Sequence, residues 1–321
     1  MLTRRSFFLG ATAAVATPVM ARAAGEGFGT DDQLSVFVSD IHVGNPGIPT
    51  PYGAQPASPG EYFEKTVDEI LALNPRPKRV VCFGDISLWF GFRKDYELSF
   101  RGFRRLKDAG IDLFFTMGNH DKRQSFGSVY PGYAERSPVP GRFVSVVDLG
   151  TCDLILLDSL NEGDPEEGKA NPVDGTIDRA QWDWLESECM KRKRPFLCGS
   201  HHSPDELSLE IEGKRRDVLS FLRNAPFFRG WIHGHAHTWA TEIMVKGWCD
   251  RTVFRKAVLP STGHWGDIGY ALMRTSSDRA ELSLVEKEFF FPAALDPGEE
   301  CPKQWSEIVA ENRGRRCTFV Y

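Results

Sequence analysis

Ile111-Asp112-Leu113-Phe114-Phe115-Thr116-Met117-Gly118-Asn119-His120-Asp121 is the stretch on which the reading of the fold turns. An apolar run of strand length stops at a glycine, and amide, imidazole and carboxylate side chains follow at once. The same change occurs upstream, where 34–38 ends at Ser39-Asp40-Ile41-His42 and 79–83 ends at Gly84-Asp85. It recurs downstream, where 196–199 ends at Ser200-His201-His202 and 228–232 ends at His233-Gly234-His235-Ala236-His237. Two more apolar runs, 143–147 and 154–157, read as strands. Between the runs lie helical patterns: 61–73 with Phe63, Val67, Ile70 and Leu71 on one face, 95–109, 178–192 with Trp182, Leu185 and Met190 inward, and 215–222. Pro75 and Pro77 close the first of these. The alternation predicts an α/β chain. After residue 240 the spans 241–248, 252–259, 269–274 and 280–288 read as strands without helices between them, and the last 30 residues read as an appendage wrapping the domain.

In open α/β sheets, ligands bind beyond the carboxyl ends of the strands. Here those ends carry Asp40 and His42, Asp85, Asn119 and His120, His201 and His202, and His235 and His237. Carboxylate, imidazole and amide oxygen are ligand types for borderline divalent metals. The supply fits two ions bridged by one carboxylate. Such a pair, about 3.5–4 Å apart, can clamp the attacking and leaving oxygens of an in-line displacement.

The ordered set Asp40-Ile41-His42, Gly84-Asp85, Gly118-Asn119-His120-Asp121, His201-His202-Ser203-Pro204 and Gly234-His235-Ala236-His237 resembles the calcineurin-like metallophosphoesterases. Leu156-Leu157-Asp158-Ser159 and Gln181-Trp182-Asp183-Trp184-Leu185 are similar to that family too, and the likeness runs over about residues 33–290. The resemblance implies a two-layer β-sandwich flanked by α-helices. It implies that Asp40, His42 and His237 hold a first metal and that Asp85 bridges both. Asn119, one of His201 and His202, and His235 would hold the second. His120 would stay off the metals and stabilise or protonate the leaving oxygen, while a hydroxide bridging the ions attacks phosphorus. Mn, Fe and Zn all suit these ligands. The sequence departs from the family at two places. Pro204 selects His202 as the ligand, whereas reading forward from Pro195 selects His201. Leu88 stands three residues after the bridging Asp, where many members carry an acid that pairs with the catalytic His and purple acid phosphatases carry a ferric-binding Tyr. Leu88 therefore leaves open what orients His120 and excludes an iron–tyrosinate bond there.

Other residues have plainer readings beside functional ones. Asp121 reads as a turn cap, Asp158 as a polar core or loop residue, and His233 as a packing residue. Trp89, Phe90, Tyr130, Tyr133 and Trp265 line a cleft or fill a core. Arg123 is a candidate for a phosphate oxygen.

The ends and the bulk composition set the context. Thr3-Arg4-Arg5-Ser6-Phe7-Phe8-Leu9, an apolar stretch to Met20 and Ala21-Arg22-Ala23 resemble a twin-arginine signal with its cleavage site. Residues 1–24 are thus expected to be removed after engagement with the twin-arginine translocase, giving a periplasmic or otherwise exported protein without a stable membrane anchor. Residues 25–290 would form the catalytic domain and 291–321 a C-terminal extension. In an oxidising compartment Cys301 and Cys317 could pair. The formal net charge of -5 argues against a nucleic-acid polymer as partner. A small phosphate ester, monoester or diester and including cyclic nucleotides, is the expected substrate. The alternative is a degenerate relative that binds a ligand or partner without turnover, which would have lost metal positions.

Overall fold

A computed structural model describes residues 33–44, 57–245, 253–290, 307 and 311–321. The signal segment and Cys301 lie outside the described residues. The element order is β1 (Gln33–Val38), α1 (Pro59–Ala72), β2 (Arg79–Cys82), α2 (Arg93–Asp108), β3 (Asp112–Phe115), α3 (Arg123–Val129), β4 (Ser145–Asp148), β5 (Asp153–Leu156), α4 (Arg179–Lys191), β6 (Phe196–Ser200), β7 (Ser208–Ile211), β8 (Lys214–Asp217), α5 (Val218–Leu222), β9 (Phe228–His233), β10 (Ala240–Val245), β11 (Val253–Val258), β12 (Gly266–Thr275), β13 (Arg279–Phe290) and β14 (Arg316–Val320).

The strands form two six-stranded sheets, ordered β14-β13-β12-β1-β2-β3 and β10-β11-β9-β6-β5-β4. β1, β2 and β3 run parallel in the first; β5, β6, β9 and β11 run parallel in the second. The sheets bury one another's inner faces. Phe37, Val81, Phe83, Met273 and Leu282 meet Leu154, Leu156, Leu197 and Ile232 in one apolar cluster. Residues of opposite parity on the second sheet, Ile155, Leu157, Phe196, Cys198 and Trp231, pack with Trp182 and Leu185 of α4 and Leu222 of α5. Against the first sheet, Phe115 of β3 meets Phe103 of α2 at a 4.9 Å ring separation, and Phe103 meets Phe63 of α1 at 4.9 Å. A strand covered on both faces needs no polar alternation, which is why these strands read as continuous apolar runs. The result is the expected β-sandwich with helices on its outer faces.

Local chemistry explains the helix starts. Ser58 and Glu61 form a reciprocal capping box at α1, with Pro59 at its first position. Three local expectations change. Met190 is 76% exposed; the inward stripe of α4 is Trp182, Leu185 and Cys189, one helical step away. Residues 214–217 are strand rather than helix, because Glu212 and Gly213 both take positive φ (53° and 70°) and close a hairpin between β7 and β8. Two consecutive left-handed residues match the twist of paired strands and carry the chain back as a strand. The third change is at the C-terminus, where Arg316–Val320 does more than wrap the domain: as β14 it extends the first sheet beyond β13, with Cys317 and Phe319 inside the inter-sheet core. Cys317 is a free thiol there.

Candidate metal centre

The carboxyl ends of β1, β2, β3, β6 and β9 meet at one edge of the sandwich. The first sheet brings Asp40, His42, Asp85, Asn119 and His120; the second brings His201, His202, His235 and His237. Six non-glycine residues among those described have left-handed φ, and five of them are Asp40, His42, Asp85, His235 and His237. That region is disfavoured for residues with a Cβ and recurs where surrounding structure fixes a functional side chain. Close approach of the two sheets does the fixing. A Cβ on Gly234 would lie 1.9 Å from Ser39 Oγ and 2.7 Å from Asp40 Oδ2, so only glycine lets this turn of the second sheet reach the first. Likewise a Cβ on Gly118 would lie 2.1 Å from Asp85 Oδ1.

The imidazoles are oriented by backbone carbonyls. The Nδ1 of His42 meets Leu88 O at 3.1 Å, that of His201 meets Phe83 O at 2.8 Å, and that of His237 meets Trp265 O at 2.8 Å. A carbonyl only accepts, so Nδ1 carries the hydrogen in each ring and the lone pair sits on Nε2, facing inward. His42 Nε2 lies 3.2 Å from His237 Nε2, and His237 Nε2 lies 3.2 Å from Asp40 Oδ1. Asp85 Oδ2 is 3.7 Å from His42 Nε2 and 3.2 Å from His201 Nε2. His201 Nε2 is also 3.2 Å from Asn119 Oδ1 and from His235 Nδ1. Two nests of inward-facing acceptors therefore share Asp85. Asp40 Oδ1 is buried with no hydrogen-bond donor among the described residues, while Oδ2 accepts from Ser39 Oγ at 2.6 Å and from His235 N at 3.0 Å.

Acceptors this close repel unless a cation lies among them. Burial alone would lower His201, but Asp85 and Asp40 beside it push it up to about 9. Burial alone would raise both carboxyls, yet the neighbouring histidines, His237 and His201 at Asp40 and His201 and His120 at Asp85, hold each below the usual range. Burial brings His42 down to about 3 and His235 to about 4. Imidazoles, carboxylates and an amide oxygen form a donor set that fits divalent ions.

His202 makes none of the short contacts above. Its Nδ1 pairs with Ser159 Oγ at 2.8 Å, although its ring stays close enough to His201 and His235 for all three to offer ligand atoms within 4.8 Å of one another. The Trp89 carbonyl, not a carboxylate, holds His120 Nδ1 at 3.0 Å, and Nε2 lies 3.9 Å from Asp85 Oδ2. The backbone beside Leu88 thus orients both His42 and His120. His233 is buried, with Nδ1 on its neighbour's Gly234 O at 2.9 Å. Asp121 accepts from the backbone of Ile86 and Ser87 at 3.1 Å each and of Gly118 at 3.0 Å, tying two strand-end turns together. Arg123 is held by Asp158 and Glu162 at 2.8 and 2.9 Å. Tyr130 stacks on Phe126 at 4.5 Å inside an aromatic core that also takes in Tyr133, and Phe90 contacts Phe92 at 6.2 Å. Trp89 and Trp265 do flank the centre, 5.1 Å from the His120 ring and 4.5 Å from the His237 ring. Sequence reasoning missed His264, whose buried ring lies 4.6 Å from His42. It follows the carboxyl end of β11, parallel to β9, so the strand-end rule could have found it.

The calcineurin-like phosphoesterase family profile matches residues 35–239, from β1 to the loop after β9. The chain belongs to that family. Calcineurin-like phosphoesterases hydrolyse phosphoric ester bonds with divalent metal ions, and this chain is such a hydrolase. A probable cyclic nucleotide phosphodiesterase of Rhodopseudomonas palustris is 24% identical over 283 residues, which cover 84% of this chain and 87% of that one. Among solved structures, a dimetal phosphatase from Danio rerio superposes with a TM-score of 0.60 at 14% identity, covering 90% of this chain and 99% of its own. The purple acid phosphatase PPD1 of yellow lupin gives a TM-score of 0.55 at 14% identity, over 79% of this chain and 51% of its own.

Proposed function

We propose that this calcineurin-like phosphoesterase hydrolyses a small phosphodiester, of the cyclic-nucleotide kind, at a dinuclear centre. The observation that carries the reading is the pair of acceptor nests that share Asp85. In this assignment Asp40, His42 and His237 would hold one ion, Asn119, His201 and His235 would hold the other, and Asp85 would serve both. The Asp85, Asn119 and His235 contacts of His201 support it over His202. Divalent ions in such nests polarise phosphoryl oxygens and lower the pKa of water.

The chain's own residues then do the following. His120, with Nδ1 fixed on the Trp89 carbonyl, presents Nε2 to the leaving oxygen and donates a proton there. Trp89 and Trp265 wall the site with apolar surface that excludes water and suits a ring-bearing substituent. The name of the Rhodopseudomonas relative supports a diester over a monoester. Turnover of the mature protein on matched mono- and diesters, with metal analysis, is the test: a metal-dependent preference for a small diester is expected, and equal or better turnover of the monoesters would overturn it. We also propose export through the twin-arginine route. Replacing Arg4 and Arg5 with lysines should leave precursor in the cytoplasm, and undiminished export would point to the general secretory route instead.

A further inference from the structure

The segment from Ser159 to Asp178, between β5 and α4, has no regular structure, yet it crosses the back of the turn that carries Asn119 and His120. It is tied down along its length. Arg123 N donates to Glu162 Oε1 at 3.0 Å, Gly168 N donates to Phe90 O at 3.0 Å, and Arg93 N donates to Glu167 Oε2 at 2.7 Å. At Asn171 it touches the turn itself. The side-chain amide donates one hydrogen to Asn119 O and the other to Asp121 O, both at 2.8 Å. These carbonyls lie on either side of His120. Asn171 Oδ1 in turn accepts from Lys122 Nζ at 2.6 Å, and Lys122 also reaches Asp164 O. Lys122 is fully buried. The front of the same turn is held by Asp85 Oδ1, which accepts from His120 N at 2.8 Å. The turn is therefore gripped from both sides, by a carboxylate facing the reaction and by an amide behind it.

We propose that Asn171 is a positioning residue: its two N–H groups clamp the peptide carbonyls flanking His120 and so fix Asn119 Oδ1 and His120 Nε2 relative to Asp85. A primary amide is planar with two donors at a fixed angle, so holding both carbonyls sets the turn's orientation as well as its place. Lys122 keeps the amide from rotating, because its ammonium occupies the only acceptor. The inference rests on the roles assigned above to Asn119 and His120, and it adds a residue outside every motif that carries metal-capable groups.

The experiment uses the full chain after export, with Asn171→Ala, Asn171→Asp and Glu167→Gln. Asn171→Asp keeps the shape and the pairing with Lys122 but replaces both donors with acceptors. Glu167→Gln takes the charge out of the strap's contact with Arg93 N without touching the turn. Rates are measured on aryl phosphodiesters of graded leaving-group pKa, and Mn²⁺ binding is titrated separately. Both Asn171 variants should lose about 10–100-fold in kcat with KM little changed, since small misplacements of catalytic groups cost this much. The loss should grow as the leaving group becomes more basic, because His120 protonates it. The weaker of two Mn²⁺ affinities should fall about tenfold, as for residues that orient metal ligands. Glu167→Gln should match the wild type. Unchanged kcat, leaving-group slope and Mn²⁺ affinity in folded Asn171→Asp would overturn the proposal, as would an equal loss in Glu167→Gln, which would mean that general strap order matters instead. If the wild type binds two Mn²⁺ but cleaves none of the diesters, the phosphodiester reading fails, and the positioning role is then decided by the titration alone.

Discussion

The two sheets contribute unlike chemistry to one site. From the first come both carboxylates, the amide oxygen and two imidazoles, His42 and His120; from the second come only imidazoles, His201, His202, His235 and His237. Each half also depends on the other for its geometry. Asp40 Oδ2 accepts from the backbone of His235 at 3.0 Å, and the His201 ring is aimed by the Phe83 carbonyl at 2.8 Å. The anionic charge therefore comes from the first sheet alone, while imidazoles come from both. Two buried carboxylates would repel each other strongly without the facing imidazoles, and the imidazoles alone would hold a cation less tightly without the charge.

The largest break in this division is Asp85→Asn, which removes half of the first sheet's charge at the point both nests share. Hydrolysis should become undetectable, and metal content should fall from two ions to one or none. Near-normal turnover with both ions retained would end the bridging assignment. The second sheet is tested by its adjacent histidines. His201→Ala should lose one ion and at least about 100-fold in rate, whereas His202→Ala should keep both ions and stay within about tenfold of wild type, as for a residue behind the ligands. The reverse ranking would exchange their roles. Within the first sheet, His120→Ala should fall about 10²–10⁴-fold with both ions in place, the contribution of a positioned acid. Metal loss there would make His120 a ligand. The smallest effect concerns the contact between the halves. Gly234→Ala in metal-free protein should cost about 1–3 kcal/mol by overpacking against Ser39 and Asp40. Gly127→Ala, in α3 with nothing near its Cβ direction, should instead stabilise by up to about 1 kcal/mol. Denaturant midpoints for the two would show whether strain is confined to the sheet junction.

Much of this was legible in the chain itself. An apolar run that stops at Gly-Asp or Gly-Asn-His-Asp is local information: the run must be buried on both faces, and the polar residues after it must leave the core at the same edge. That fixed the α/β order, the sandwich implied by the family likeness and the cluster of metal-capable side chains. The loop holding Asn171 carries no periodicity, so nothing along the chain connects it to His120; only the fold brings them together. β14 was illegible for a similar reason, since five residues after a long connection gain strand character only from pairing with β13. The choice between His201 and His202 shows the limit most plainly. Successive residues leaving β6 point to opposite faces, Leu197 and Gly199 toward the other sheet, Phe196 and Cys198 toward α4. Both faces are apolar, so the sequence pattern does not say which is inner. The packing of one sheet on the other decides it, and by parity it sends His201 to Asp85 and leaves His202 behind with Ser159.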